Sequence, residues 1–218
     1  CKWSNTKTYD PSYYKVVFFS WAPIWVPFLQ ELQKDKRFDV VWVVTMPDAP
    51  SGRGMEVKPN IIKKTAIDLW ISDIQTPNSV RLDSPKYWTE AKDFAQWLRS
   101  KDADFLVVIA YGKIMPREIL DMSHFGPINV HGSILPKYRG ASPLQSAFLD
   151  GESESWITIM IMDENMDTWN MIDILKFKLN FDWTVNDLID SVMTKWPKFL
   201  NDTLVHYAKW LLWEVKQD

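Results

Sequence analysis

The sequence lacks the features that characterise several common classes of protein. Among its 218 residues there is one cysteine, Cys1, and three scattered histidines, so neither a disulfide framework nor a metal site is expected. No apolar run reaches the roughly eighteen residues that a membrane span needs, and the first residues carry no signal-peptide core. Because 28 acidic residues nearly balance 25 basic ones, the net charge of −3 creates no global field for nucleic acid. We expect a cytoplasmic monomer without membrane contact, in which any nucleic-acid contact is a local patch.

Glycine is also scarce, whereas tryptophan is abundant. The chain has 7 Gly and 13 Trp, although the usual glycine content of ~7% would give about 15 Gly in a chain of this length. Otherwise the composition is ordinary, since 46% of residues are apolar and 24% are charged. This composition excludes disordered, collagen-like and coiled-coil chains. It is typical of a globular protein with a sizeable core.

Short apolar runs alternate with helical patterns through the first half of the chain. Residues 16–19, 40–44 and 105–110 are apolar at nearly every position, and a shorter strand is expected near Ile74. Helices are expected at 26–34, 60–69 and 86–100, and a short one at 115–120. Strands that are apolar at every position are buried on both faces, as in a parallel sheet with helices on both sides. The sequence therefore predicts an α/β fold with a Rossmann-like, open, twisted, mostly parallel sheet.

The second half predicts a different arrangement of elements. A strand at 128–131 and a helix at 143–149 are followed by two strands, 157–162 and 171–178, with few residues between them. Their closeness indicates an antiparallel edge on the sheet. Apolar residues then keep helical spacing from Val185 to Tyr207, and we expect a kink at Pro197.

Polar side chains are densest at the end of the strand 128–131. Asn129 and His131 are two residues apart, so their side chains leave the strand on the same face. Ligands of open α/β sheets bind beyond the carboxyl ends of strands, where an amide and an imidazole could both donate hydrogen bonds to a developing oxyanion. The residues alone equally fit an Asn and a His that are bonded to nearby backbone.

Several segments resemble the folate-dependent formyltransferases. Residues 129–140 are similar to the signature Asn-x-His-x-Ser-Leu-Leu-Pro-Lys-Tyr-Arg-Gly of that family, with Ile134 in place of a Leu. Residues 46–54 resemble the Pro-Asp-x-Pro-x-Gly-Arg-Gly loop of the branch that acts on methionyl-tRNA. Residues 110–116 and 158–168 resemble two further segments of that branch. The likeness covers about 15–218 in the family's order.

The resemblance implies a catalytic trio of Asn129, His131 and Asp167. Members of the family transfer a formyl group from 10-formyltetrahydrofolate, a donor substrate, directly to an amine. By resemblance, the Asn129 amide and a protonated His131 stabilise the negative oxygen, and Asp167 holds His131 charged and accepts the proton of the amine. No covalent enzyme intermediate is implied.

The resemblance also implies a folate pocket and a tRNA contact. The residues that correspond to the folate pocket are Ile109, Ala110, Tyr111, Gly112, Ile114, Ser133, Leu135 and Pro136. Tyr111 could equally be an ordinary aromatic residue at a strand end. The tRNA contact would be a basic cluster, alternatively a solvated face, which consists of Arg53, Lys58, Lys63 and Lys64.

Tryptophan stands where relatives commonly have glycine or another small residue. The family's Asp-Thr-Gly is Asp167-Thr168-Trp169 here, and the same exchange is expected at Trp25, Trp70, Trp156 and Trp196. Such glycines usually serve positive φ or a close backbone approach, which Trp tolerates poorly. One hypothesis is that the source organism reads a reassigned codon as Gly. The alternative is a lineage that has drifted to bulky residues and has lost activity.

The expected organisation is an N-terminal extension at 1–12, a catalytic domain at 13–213 and the start of an interdomain segment at 214–218. The C-terminal β-barrel domain of the tRNA-acting branch is not in the sequence. The expected function is formylation of the amino group of methionyl-tRNA for translation initiation. Alternatives are N-formylation of an amino-sugar nucleotide, or an inactive folate-binding module. A dinucleotide enzyme is disfavoured, because no Gly-x-Gly-x-x-Gly follows the first strand.

Overall fold

The described chain forms two compact units. The first is Pro11–Pro127, and the second lies within Ile128–Asp218. The structure is a computed structural model that describes residues 11–51, 56–133, 135, 137, 143–163, 170–180 and 182–216. None of the helices in these ranges combines the length and the apolar character needed to cross a membrane.

The first unit is built on a parallel sheet. Its elements in chain order are β1 (Tyr14–Phe19), a 3-10 helix (Pro23–Trp25), α1 (Val26–Lys34), β2 (Phe38–Val44), β3 (Ala49–Ser51), β4 (Glu56–Lys58), α2 (Ile61–Asp68), β5 (Asp73–Gln75), α3 (Trp88–Ser100), β6 (Phe105–Val108) and α4 (Arg117–Leu120). Four strands run parallel in the order β5-β2-β1-β6. The strands β3 and β4 form a separate antiparallel pair.

The two central strands of this sheet supply the core of the unit. All side chains of Val16–Phe19 in β1 and of Phe105–Val108 in β6 are at most 2% exposed. Burial of one such side chain contributes roughly 1.5–3 kcal/mol. Asp104 joins the two strands at their start, because its buried carboxylate accepts a hydrogen bond of 2.7 Å from the backbone N–H of Lys15.

The second unit is antiparallel. Its elements are β7 (Pro127–His131), α5 (Pro143–Leu149), β8 (Glu154–Ile161), β9 (Met171–Lys178) and α6 (Val185–Ala208). The strands are ordered β7-β8-β9, and each pair is antiparallel. Helix α6 begins at a capping box of Thr184 and Asp187, continues through Pro197, and packs Trp196 edge-on against Phe177 of β9 at 5.3 Å.

The predicted fold class is confirmed, and differences occur at element ends. Strand β6 ends at Val108, two residues earlier than predicted, because Ala110 turns the chain into the left-handed region at φ +46°. Strand β8 begins at Glu154, three residues earlier than predicted, since cross-strand partners extend it: Lys176 pairs with Glu154 and covers the ring of Trp156. The predicted antiparallel edge is present as β8 and β9.

Candidate functional site

One face of the β7–β8 pair carries two of the candidate catalytic side chains. Asn129 lies directly opposite Met160 of β8, and two residues further His131 lies opposite Thr158. Directly opposite residues of an antiparallel pair point to the same face of a sheet. All four side chains therefore share one face. The prediction that Asn129 and His131 share a face is confirmed.

The surroundings of this polar pair are largely dry. Asn129 is half-buried and His131 is 7% exposed, whereas Thr158 and Met160 are fully buried. In such low-dielectric surroundings a hydrogen bond to a charged or polarised oxygen is stronger than in water. The face thus offers an amide donor and an imidazole donor where competition from solvent is small.

Side chains of β8 hold the segment that follows β7. The Thr158 hydroxyl donates a hydrogen bond of 2.6 Å to the Ser133 carbonyl. The Ser133 hydroxyl in turn donates a bond of 2.7 Å to the carbonyl of Lys137. Leu135 packs against Met160 in a small apolar cluster that Met162 and Met171 complete. Ser133 and Leu135, both expected in the folate pocket, therefore lie beside the face that carries His131.

Asp167 and Pro136 lie outside the described residues. The chain leaves β8 and returns into β9, and the Ile161 N–H donates a hydrogen bond of 3.0 Å to the Asn170 carbonyl. Ile161 and Asn170, which lie on either side of the segment that contains Asp167, are therefore hydrogen-bonded neighbours. The third member of the catalytic trio remains a prediction.

The segment after β6 carries the other residues expected in the folate pocket. Ile109 is fully buried, and Ile114 is 68% exposed. Between them, Ala110 and Gly112 both have positive φ, +46° and +77°. A Cβ atom on Gly112 would come within 3.3 Å of the Trp21 indole nitrogen. The positive φ therefore favours glycine at position 112, and a larger residue would also require the Trp21 side chain to shift by a few tenths of an ångström.

The side chain of Tyr111 belongs to the core of the first unit. It is 2% exposed, and its ring lies edge-on to Phe19 at 5.3 Å. Burial, together with the negative charge of Glu90, raises the pKa of the Tyr111 phenol well above its ordinary value. This placement favours the interpretation of Tyr111 as an aromatic residue at a strand end, and only its backbone remains available for a ligand.

The expected tRNA contact is described in part. Arg53 lies outside the described residues, and Lys58 is the last residue of β4. Lys63 and Lys64 are neighbours in α2, but the Lys63 ammonium is paired with Asp48 at 2.5 Å, whereas Lys64 is exposed. The pairing indicates that Lys63 holds the segment before β3, while Lys64 is oriented to solvent.

Sequence reasoning missed two residues that organise these segments. Thr158 gives a signal in hindsight, because it is a polar residue in an apolar strand. Asn60 caps α2 by accepting from the Lys63 N–H at 3.0 Å, and it also accepts from the Thr45 hydroxyl at 3.0 Å and donates to the Met46 carbonyl at 2.7 Å. An Asn before a helix predicts the cap, but its two distant partners have no signature in the sequence.

The tryptophans singled out in the sequence differ in their environments. Trp70 has φ +62° and is 94% exposed. The positive φ is the conformation expected where relatives have glycine. Trp196 is 1% exposed within α6, and Trp25 packs against Phe28 at φ −97°. Trp156 is part of β8, and Trp169 lies outside the described residues. Of these positions, Trp70 alone is described with positive φ.

Within the described ranges, no group of three or more His, Cys, Asp or Glu could hold a metal ion. The site on β7 and β8 offers donors from Asn129 and His131 and an apolar wall that includes Met160 and Leu135. This combination suits stabilisation of negative charge on an organic substrate.

Comparison with known proteins adds independent findings. A family profile described as formyl transferase matches residues 14–204. A methionyl-tRNA formyltransferase of Gloeothece citriformis is 44% identical over 158 residues, which are 72% of this chain and 45% of that protein. Another, of Clostridioides difficile, is 38% identical over 192 residues, 87% of this chain and 58% of that protein. The chain thus spans about half the length of these curated relatives.

A solved structure shows the same fold. The crystal structure of glycinamide ribonucleotide transformylase 1 from Symbiobacterium toebii aligns with a TM-score of 0.72, 16% identity and 97% coverage of both chains. At this identity the match concerns the fold alone.

Proposed function

The chain belongs to the formyl transferase family, and we propose that it transfers a formyl group from 10-formyltetrahydrofolate to the amino group of methionyl-tRNA. The observation that carries the proposal is the shared face of Asn129 and His131 at the end of β7, with dry surroundings. The identity of 44% with a methionyl-tRNA formyltransferase supports the choice of acceptor.

The proposed reaction is a direct transfer. The amine of methionyl-tRNA attacks the formyl carbon and forms a new C–N bond, while the formyl oxygen becomes negative. The Asn129 amide and the His131 imidazolium donate hydrogen bonds to this oxygen, which stabilises the tetrahedral intermediate. Asp167 accepts the proton of the amine through water, and the bond from the formyl carbon to N10 of the folate breaks as N10 gains a proton.

The segment Ile109–Ile114 of the first unit is proposed to contact the folate, and the resemblance assigns a folate contact to Ser133 and Leu135 as well. The positive φ angles at Ala110 and Gly112 interrupt regular backbone pairing after β6, which leaves peptide groups able to bond the pterin. Ile114 is exposed and apolar, so it can cover a flat ring.

One experiment separates this function from its alternatives. The protein is incubated with 10-formyltetrahydrofolate and charged initiator tRNA, the aminoacyl ester is hydrolysed, and the released amino acid is analysed by mass. We expect N-formylmethionine, and no formylation of an amino-sugar nucleotide supplied in parallel. A formylated sugar nucleotide without formylmethionine would assign the chain to sugar modification. Folate binding without either product would indicate an inactive binding module.

The tRNA contact is tested by the dependence of affinity on salt. Each phosphate contact that is lost makes the negative slope of log K against log salt shallower by roughly 0.7–0.9. The double variant Arg53→Ala/Lys58→Ala is expected to make the slope for methionyl-tRNA shallower by roughly 1–2 units. Lys92→Ala is the control, because Lys92 is an exposed lysine of α3, outside the proposed contact, and lies over the ring of Trp88. An equal slope in the wild type and the double variant would refute the contact.

A further inference from the structure

Thr158 is a buried hydroxyl in contact with the segment that follows the proposed catalytic histidine. It is 0% exposed within β8 and lies directly opposite His131 in the strand register. Its hydroxyl does not bond within the strand ladder but donates to the Ser133 carbonyl at 2.6 Å, two residues after His131. One side chain thus connects the neighbouring strand to the point where the chain leaves β7.

This bond limits how the chain around His131 can move. Thr is β-branched, so its side chain in a strand has few rotamers and directs the hydroxyl along a fixed line. The Ser133 hydroxyl, 1% exposed, donates to the Lys137 carbonyl at 2.7 Å and extends the connection. His131 is therefore held by its pairing with β8, and the segment that follows it is held to the same strand by the Thr158–Ser133 bond.

We propose that Thr158 is a positioning residue for His131 in formyl transfer, which rests on the function proposed above. Thr158 acts through the Ser133 carbonyl, and this bond keeps the His131 imidazole aligned with the formyl oxygen. A misplacement of about 1 Å in a catalytic group can cost on the order of 10²-fold in rate. Loss of the Thr158 hydroxyl is therefore expected to change kcat more than KM.

The test compares Thr158→Val, which removes the hydroxyl and keeps the shape, with Thr158→Ser, which keeps the hydroxyl. We expect Thr158→Val to lower kcat for methionyl-tRNA on the order of 10-fold or more with little change in KM for either substrate. Thr158→Ser is expected to restore most of kcat. Thermal unfolding of both variants shows whether the fold is retained.

A second readout is independent of activity. The chain has three histidines, so the ring C–H resonances of His124, His131 and His206 can be followed separately by NMR. We expect Thr158→Val to shift the His131 resonances, with those of His124 and His206 unchanged, and Thr158→Ser to restore them. If the wild type formylates no methionyl-tRNA, the proposed function fails, and this readout still decides whether Thr158 positions His131.

Two results would overturn the proposal. One is a Thr158→Val protein with wild-type kcat and an unshifted His131 spectrum. The other is a general loss of stability in Thr158→Val and Thr158→Ser alike, with all three histidines shifted, because the residue would then serve only the core.

An independent observation concerns two helix ends. Helix α2 ends with Trp70 at φ +62°, where the N–H of Ile71 bonds the Ala66 carbonyl at 2.9 Å and the N–H of Trp70 bonds the Ile67 carbonyl at 3.0 Å. Helix α6 ends in the same way: Trp210 has φ +57°, the N–H of Leu211 donates to the His206 carbonyl at 2.9 Å, and the N–H of Trp210 donates to the Tyr207 carbonyl at 3.0 Å. This pair of bonds defines the Schellman motif, whose left-handed position is usually glycine.

Both tryptophans are exposed at these positions. Trp70 is 94% exposed and Trp210 is 44% exposed, so a large part of each side chain gains nothing from burial that would offset the strained backbone. We infer that positions 70 and 210 are glycine in the protein that the source organism makes, because a codon translated here as Trp is read there as Gly. This accounts for the 13 Trp and 7 Gly of the chain. A gene can carry both codons, so the buried Trp196 can be a genuine tryptophan.

The inference is tested by stability and by mass. Trp70→Gly and Trp210→Gly are each expected to raise the thermal midpoint by roughly 2–4 °C. Trp88→Gly is the control, because Trp88 is also exposed, at 49%, but begins α3 with helical backbone, where Gly is unfavourable. Lower midpoints in all three variants would contradict the inference. Tryptic peptides 65–81 and 210–216 of the natural protein are expected to be lighter by the difference between Trp and Gly, and Trp in both would overturn it.

Discussion

At the scale of one residue, the Tyr111 side chain is expected to affect stability and not formyl transfer. Its hydroxyl has no hydrogen-bond partner within the described part of the chain. Burial of an unpaired hydroxyl costs about 1–3 kcal/mol. We expect Tyr111→Phe to raise the free energy of unfolding by up to about this amount, measured by denaturant titration. Formyl transfer is expected to be unchanged, because the side chain belongs to the core.

Tyr207→Phe is the matched control for this prediction. The Tyr207 hydroxyl donates a hydrogen bond of 2.9 Å to Glu214, so its removal is expected to lower the free energy of unfolding by about 1 kcal/mol. If both variants were destabilised alike, the Tyr111 hydroxyl would have a partner after all.

Single residues were predictable from sequence where a local rule applies. The period of two in a strand places Asn129 and His131 on one face, as the structure has them. Thr158 was not predictable as a contact of Ser133, because the two residues are 25 positions apart and the pairing follows from the strand register. The side chain of Tyr111 could not be assigned to core or pocket until its burial was known.

At the scale of an element, Asn60 links α2 to the segment before β3. Asn60→Ala removes the cap of α2 and the bonds with Thr45 and Met46, and we expect it to cost about 1–2 kcal/mol of unfolding free energy. Asn60→Asp keeps the capping oxygen but cannot donate to the Met46 carbonyl, so its loss is expected to be smaller. An equal loss in both variants would show that the Met46 bond carries the effect.

The agreement between predicted and observed bounds varies from element to element. Helix α1, helix α5 and strand β9 have the predicted bounds. The pair β3–β4 was not predicted, because Ala49-Pro50-Ser51 lacks the alternation of a strand. Strand β6 was predicted too long, because an apolar run does not indicate where the backbone turns left-handed, as it does at Ala110.

At the scale of the whole molecule, we expect Asp73 to contribute to stability against acid. Burial opposes ionisation, but hydrogen bonds from Lys101, Gln75 and Trp97 and the charge of Lys101 hold the pKa of Asp73 below its ordinary 3.8. Because the folded pKa is lower than the unfolded one, the stabilisation is complete above about pH 4 and is lost as the pH falls through the folded pKa. Asp73→Asn is expected to lower stability at pH 7 and to flatten its decrease below about pH 4.

The control for Asp73 is Asp83→Asn. Asp83 pairs with Arg81 at 2.7 Å on the surface, and an exposed pair contributes little to stability. We expect the unfolding free energy of Asp83→Asn to follow that of the wild type between about pH 2 and pH 7, with a difference much smaller than that caused by Asp73→Asn. Equal pH profiles for Asp73→Asn and the wild type would show that Asp73 does not govern acid unfolding.

The fold class was predictable as a whole because alternation of apolar strands with helices leaves few arrangements. The family followed from motifs in a fixed order, and the profile match over 14–204 bears it out. The geometry of the whole catalytic trio was not predictable, since Asp167 belongs to a different segment of the chain from Asn129 and His131. That part of the site remains a proposal.

The most direct test of the account is the single-turnover rate of formyl transfer from 10-formyltetrahydrofolate to methionyl-tRNA. We expect Asn129→Ala and His131→Ala each to lower this rate by about 10²–10³-fold with the fold intact, because each removes one donor to the oxyanion. Circular dichroism and thermal unfolding of the same samples check the fold. Rates close to the wild type in both variants would contradict the claim that these two side chains stabilise the reacting formyl oxygen.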